Sequence, residues 1–184
     1  MADLTLVRLD GNEADRQRDA LADLYEKAYA EKLDGAFRSR AGFLDRLGMY
    51  VGRQRFELVS AHDGDALAGY IFGFAIAPSG TWWEGFRDEV PADVLEWTRA
   101  EEVFAISELM VRPEWRRRGI ARRLHDTLLE GRGEALATIL VDPKNIPART
   151  AYYAWGWEKL GDIQPFDDSP VFESLTKRLS LVKP

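Results

Sequence analysis

The chain of 184 residues contains no cysteine. That absence removes disulfides, thiolate metal sites and a cysteine nucleophile together. Histidine is scarce, with only His62 and His125. The chain has no H-E-x-x-H, Walker or EF-hand spacing and no G-x-S-x-G elbow, so no metal is expected and hydrolase triads find little support. No apolar run approaches the roughly 20 residues of a membrane span. The opening Met1-Ala2-Asp3-Leu4 lacks the charged and apolar regions of a signal peptide. Excess positive charge is missing as well: 25 Lys and Arg stand against 31 Asp and Glu, a net charge of −6. A chain of that balance is a poor electrostatic binder of nucleic acid or of an anionic membrane. The expectation is a cytoplasmic protein, with a single domain over residues 1–184 and neither nucleic acid nor membrane among its partners. Its 46% hydrophobic content suits one sizeable core.

What is present is organised around residues 104–130, FAISELMVRPEWRRRGIARRLHDTLLE. Phe104 to Val111 is apolar and free of breakers, as a largely buried strand would be. Pro113 ends it. Ile120, Leu124 and Leu128 then recur at helical spacing. Between strand and helix lies the turn Arg116-Arg117-Arg118-Gly119-Ile120-Ala121, in which Gly119 and Ala121 let the backbone come close to a ligand. A helix start offers unpaired N–H groups and a partial positive charge, a natural seat for phosphate. Arg112, Arg116, Arg117, Arg118, Arg122 and Arg123 crowd that seat in an otherwise acidic chain, and their spacing favours a pyrophosphate.

The remaining chain reads as alternating elements. Strand candidates are 4–9, 56–62 and 66–77, with the Asp63-Gly64-Asp65 hairpin between the last two. Gly69 and Gly73 point to a bulge or a close backbone approach. Helical patterns cover 14–32 and 37–51. Residues 78–100 are irregular, and a segment of that length is functional or carries its own helix. It holds Trp82, Trp83, Phe86 and Trp97, either as an aromatic mini-core or as the wall of a pocket for a cationic amine. Downstream come a strand at 137–141, a helix capped by Asn145 with Pro147 in its first turn, a stop at Gly156, and strands at 157–163 and 171–179.

Arg116-x-x-Gly119-x-Ala121 after a strand resembles the acyl-CoA pyrophosphate loop (R/Q-x-x-G-x-G/A) of the GNAT superfamily of N-acyltransferases. Downstream, Asn145-x-x-Ala148-x-x-x-Tyr152-x-x-x-Gly156-Trp157 is similar to that family's N-x-x-A-x-x-x-Y-x-x-x-G-F run, with Trp in place of Phe. The two motifs cover roughly the C-terminal half; the first hundred residues match in element order alone. The resemblance implies an α+β fold: a mixed, mostly antiparallel sheet of about seven strands with a splayed centre, flanked by about four helices. It also implies acetyl-CoA as co-substrate and an amine acceptor, with transfer by direct attack. Leu109, Met110 and Val111 would align the pantetheine, with a backbone N–H near Met110 as oxyanion donor. Arg116, Arg117, Arg118, Gly119, Ile120 and Ala121 would hold the pyrophosphate, with Asn145 and Tyr152 completing the cofactor site.

Two residues are catalytic candidates. Glu108 shares a strand face with Ile106 and Met110, and a carboxylate in an apolar strand is costly to bury without a function. It serves as base, directly or through water, or holds the substrate ammonium; the structural alternative is a salt bridge to a nearby arginine. Tyr152 is the acid candidate, with Tyr153 as its neighbour alternative and simple packing as the other reading of both rings. Trp82, Trp83 and Glu108 are the acceptor-side candidates. The favoured acceptor is a small-molecule amine, the enzyme being a monomer or homodimer. A protein or peptide N-acetyltransferase and a non-catalytic acyl-CoA-binding or RNA-binding module are the competing readings.

Overall fold

The computed structural model of the chain describes residues 4–30 and 38–179. Along them run β1 (Thr5–Leu9), α1 (Gly11–Arg16), α2 (Arg18–Tyr29), α3 (Arg40–Tyr50), β2 (Glu57–Asp63), β3 (Ala66–Ala75) and α4 (Ala92–Arg99). Then follow β4 (Val103–Val111), α5 (Ile120–Leu129), β5 (Leu136–Val141), α6 (Ile146–Ala154), β6 (Glu158–Ile163) and β7 (Phe172–Arg178). The strands form one sheet in the order β1-β2-β3-β4-β5-β7-β6. Pairs β1/β2, β2/β3, β5/β7 and β6/β7 are antiparallel, while β4/β5 is parallel. A hairpin cannot join parallel neighbours, and the α5 segment is the crossover that such a pair requires. The β4/β5 ladder runs from Val103↔Leu136 to Ile106↔Ile139 and stops there, halfway along β4. The resemblance implied a splayed centre, and this short ladder belongs to the middle pair of the sheet. No helix among the described residues is long and apolar enough to cross a membrane.

Among the described residues there are six α-helices where four were expected. The predicted 14–32 helix is two. Asp10 caps α1: its carboxylate accepts from Glu13 N–H while the Glu13 side chain accepts from Asp10 N–H, a reciprocal capping box. Gln17 then leaves helical geometry (φ −101°, ψ 10°) and α2 starts afresh. The sixth is α4, inside the irregular 78–100 segment. The Lys32 end of the first predicted helix and the Phe37 start of the second lie outside the described residues.

Two compact units divide the chain: Met1–Phe74 with Ser107–Glu130, and Ala75–Ile106 with Gly131–Pro184. In the first, Leu21, Leu24 and Tyr25 of α2 are buried, as are Phe43 and Leu47 of α3 and Ile120, Leu124 and Leu128 of α5. Arg40 ties α3 to α2 through Asp23 (2.6 Å) and Glu26 (2.8 Å). Gly69 on β3 sits where the β2/β3 register shifts, between Ala61 and His62. A Cβ there would lie 2.7 Å from the Met110 carbonyl oxygen and 3.3 Å from Leu124 Cδ1, so glycine is what lets β3 approach this closely.

In the second unit, Val103 to Ile106 of β4, Ala137 and Leu175 are buried. The 78–100 segment docks on β6: Phe86 bridges to Ile163, Arg87 N–H donates to Asp162 O, and the Phe86 ring covers Gly161. It thereby shields the edge strand of the sheet. The buried Trp83 donates its indole N–H to Thr98 Oγ1 on α4 (3.0 Å) and meets Phe86 edge to face.

Gly69→Ala is expected to lower unfolding stability by about 1–3 kcal/mol through overpacking against backbone. Gly48→Ala, on α3 with nothing within 4 Å of the added Cβ, should raise it by roughly 0.5–1 kcal/mol. Urea midpoints of the two variants with unchanged m-values check both signs.

Candidate active site

After β4 the chain makes a single 3-10 turn over Pro113–Trp115 and enters the basic loop. Arg117 (φ 62°) and Gly119 (φ 76°) both take left-handed backbone. Left-handed residues interspersed in a turn bring successive N–H groups to one side, the concave arrangement that holds anions. Gly119 is the N-cap of α5 and brings no side chain to that end. Asp10, Ser39 and Asn145, by contrast, accept hydrogen bonds at the starts of α1, α3 and α6. The first N–H groups of α5 therefore point outward with the positive end of the helix behind them. Residues 116–119 are exposed, and a Cβ on Gly119 would meet nothing within 4 Å. An open, uncapped helix start fits a pyrophosphate.

The arginines divide their work. Arg116 turns inward: Nε donates to Val111 O (3.2 Å) and Nη2 to Ala28 O (3.0 Å), pinning the loop to the ends of β4 and α2. Arg122 pairs with Asp126 (2.6 Å), and Arg123 donates to Leu4 O (3.2 Å). Arg112 lies 4.0 Å from Glu114, and Arg118 stacks over the Trp115 ring at 5.0 Å. Among the described residues Arg117 has no side-chain partner. An anion at this end of α5 would meet backbone N–H groups more than a ring of free guanidiniums.

On β4, Ile106 and Met110 are buried, and Glu108 between them, in the same unit as the loop, is 15% exposed. Its surroundings come from three elements besides β4 itself. Arg46 (α3) acts on it electrostatically, and its own charge acts on Tyr25 (α2), Tyr50 (α3) and Tyr70 (β3). Arg46 Nη2 stands 3.8 Å from Glu108 Oε1 and donates to the Tyr25 hydroxyl at 3.4 Å. Tyr70 OH donates to Leu21 O (3.2 Å). Burial pushes the Glu108 carboxyl up to about 7, with Arg46 pulling the other way. Burial and the Glu108 charge push Tyr25 up to about 12 and raise Tyr70 well above the usual phenol value. The partner of Glu108 is thus Arg46, far upstream, and not one of the loop arginines that the sequence places nearby. Arg46 escaped the sequence reading because an arginine in a helix between Phe43 and Leu47 carries no mark of burial.

In the second unit Asn145 caps α6, its side-chain oxygen accepting from Ala148 N–H at 3.4 Å. Tyr152 is 6% exposed and meets Trp155 and Trp157 edge to face. Tyr153 is 40% exposed, its hydroxyl 3.4 Å from a Glu173 oxygen held bidentately by Arg149. Trp83 belongs to the mini-core, and Trp82 is half-buried beside it in sequence. His125 Nδ1 meets Asp126 (2.8 Å) and His62 Nε2 meets Ser60 (2.9 Å). Among the described residues no cluster of three His, Cys, Asp or Glu is placed to hold a metal ion.

The raised Glu108 carboxyl has a consequence for stability. From about 4.5 to about 7 the folded state keeps a proton that the unfolded chain releases. Stability from this group therefore falls as pH rises through that window. In Glu108→Gln the loss disappears, so the variant's unfolding free energy relative to wild type should climb between pH 4.5 and 8, by on the order of 3 kcal/mol. Urea titrations across that range measure it; parallel profiles would show that Glu108 titrates normally.

Residues 18–157 match the model of the Acetyltransferase (GNAT) family. No curated protein matches the chain in sequence. Among solved structures, yncA from Salmonella typhimurium with its cofactor acetyl-CoA superimposes with a TM-score of 0.65 at 14% identity, covering 97% of this chain and 95% of that one. The ribosomal-protein-S18-alanine N-acetyltransferase of Escherichia coli gives 0.65 at 14%, with 98% and 96% covered. An aminoglycoside 6'-acetyltransferase type Ii gives 0.64 at 17%, with 98% and 99% covered. At these identities the likeness is one of fold. With the family model spanning most of its length, the chain belongs to the GNAT family of acetyltransferases, whose acyl donor is acetyl-CoA.

Proposed function

We propose that the chain is an N-acetyltransferase, a single domain over 1–184, that moves the acetyl group of acetyl-CoA to the primary amine of a small molecule by direct attack in a ternary complex. Acetyl-CoA supplies an activated thioester carbonyl. The main chain of Arg116 to Ala121 binds its pyrophosphate at the start of α5, and Leu109 to Val111 align the pantetheine along β4. Glu108 accepts a proton from the acceptor's ammonium, freeing the lone pair for attack. A backbone N–H near Met110 donates to the oxygen on which charge develops. Tyr152, of the second unit, is the resemblance's candidate for a hydrogen bond to the departing sulfur. A reference thiol near 8.5 is more acidic than a phenol near 10, so Tyr152 stabilises the thiolate more than it protonates it.

The observation that carries this reading is Glu108: a carboxylate on β4, in the same unit as the open helix start, lifted to about 7 by burial. A base that titrates near neutral pH combines a useful ionised fraction with enough basicity to take the proton. The rings around it support a cationic acceptor. Tyr25, Tyr50 and Tyr70 lie about the carboxylate, and Tyr29 packs on Tyr25 with ring centres 4.9 Å apart. Aromatic faces beside an acid attract an ammonium. Trp82 is retained as an acceptor-side candidate, whereas the indole of Trp83 is committed to the core.

CoA is expected to raise the melting temperature of the wild type, and Gly119→Glu, which sets a carboxylate at the phosphate seat, to abolish that rise; an equal shift in the variant would refute the seat. A thiol-release screen with acetyl-CoA against amines and peptides tests the activity. Release with small amines is expected, with turnover rising through pH 7 as Glu108 ionises. Glu108→Gln should lower kcat by about 10²–10⁴-fold and flatten that pH dependence. Release with peptides alone would make the chain a protein N-acetyltransferase. CoA binding without release across the panel would make it a non-catalytic acyl-CoA-binding module.

A further inference from the structure

Arg46 is 8% exposed, an unusual position for a guanidinium, and burying that charge is costly unless a counter-charge and hydrogen bonds offset it. It reaches inward from α3 between Phe43 and Leu47, both 1% exposed. Its Nη2 donates to Tyr25 OH at 3.4 Å, which fixes the arm. The same nitrogen is 3.8 Å from Glu108 Oε1. That separation is too long for a hydrogen bond but well within Coulomb reach where water is sparse. No hydrogen bond to the Glu108 carboxylate is seen among the described residues, and Arg46 stands too far off to make one.

The other groups facing Glu108 are all phenols or hydroxyls. Tyr25 approaches from α2, Tyr50 from the end of α3, and Tyr70 from β3; Ser107, next to Glu108 on β4, bonds Tyr50. Each phenol is raised above its ordinary value, so each is neutral across the physiological range. Arg46 is the one cation acting on Glu108 among the described residues. Without it, the burial that raises the carboxyl would act unopposed, and the carboxylate would keep its proton when an acceptor arrives.

We propose that Arg46 is a positioning residue for Glu108: held at a distance by Tyr25, it keeps the carboxylate charged without occupying the oxygens that meet the acceptor. The proposal rests on Glu108 being the base. It assigns a role to α3, which the sequence marks only as an amphipathic helix.

The test follows the Glu108 carboxyl directly. Protein labelled with carbon-13 at the glutamate carboxyls is titrated by NMR, with the Glu108 signal assigned by its loss in Glu108→Gln. Arg46→Gln is expected to move the Glu108 midpoint upward by about one pH unit or more, and Arg46→Lys, with its charge on a shorter arm, upward by about a few tenths. The lysine variant serves alone if the glutamine variant does not fold. A midpoint that stays in place or falls in the variants that fold overturns the proposal. In turnover of an amine found by the screen, the acid limb of kcat should move with the NMR midpoint. In the Glu108→Gln background, Arg46→Gln should cost less than about threefold further; a full, multiplicative loss there would mean that Arg46 acts independently of Glu108, and would overturn the proposal. An upward midpoint in Arg46→Gln alongside undiminished turnover in Glu108→Gln would instead retain the Arg46 contact and remove the base role alone.

Discussion

The first N–H groups of an α-helix have no acceptor within the helix, and in α5 no cap side chain supplies one. Three other helices here solve the same problem with Asp10, Ser39 and Asn145. At α5 the chain instead spends a left-handed glycine, which contributes flexibility and space but no acceptor. Such donors, with the helix dipole behind them, suit an anion. Once that end is read as a phosphate seat, the placement of its neighbours follows. Arg116 is tied to Val111 O and Ala28 O, so the loop is braced from inside while its backbone faces out.

Glu108 is subject to two opposing influences, of which burial is the larger. Its position between Ile106 and Met110 takes it largely out of water and favours the protonated form. Arg46 favours the charged form at 3.8 Å. The balance leaves a carboxyl poised near neutral pH, neither a permanently charged ion pair nor a permanently neutral acid. Had Arg46 been in bidentate contact, as Arg149 is with Glu173, the carboxylate would have been held charged and its oxygens occupied. The contrast between these two pairs in one chain separates an ion pair that serves packing from one able to serve chemistry.

The aromatic load of residues 78–100 illustrates how composition alone leaves a role undecided. Trp83 and Phe86 pair with Thr98 and Gly161 and shelter the β6 edge, which is core work. The aromatic rings near Glu108 come instead from tyrosines scattered over α2, α3 and β3, residues that look like ordinary core positions in the linear chain. Helix count was underestimated for a related reason. The Asp10–Glu13 capping box and the departure at Gln17 are short-range features that an apolar stripe running through them conceals.

Strands, the hairpin at Gly64, the β4–loop–α5 motif and the Asn145 cap were legible because each depends on neighbours within a few residues: alternation, turn chemistry, capping and helical spacing are local physics. The basic loop before α5 belongs to this class, since a glycine that opens a helix is visible in the chain itself. Which arginine braces the loop, which cation stands beside Glu108, and which rings surround it depended on pairings between residues distant in sequence. Burial and electric field are sums over whatever the fold brings near, and a linear chain does not contain those sums. The residue types at the site were therefore written in the sequence, while the state in which Glu108 is held was decided by tertiary structure.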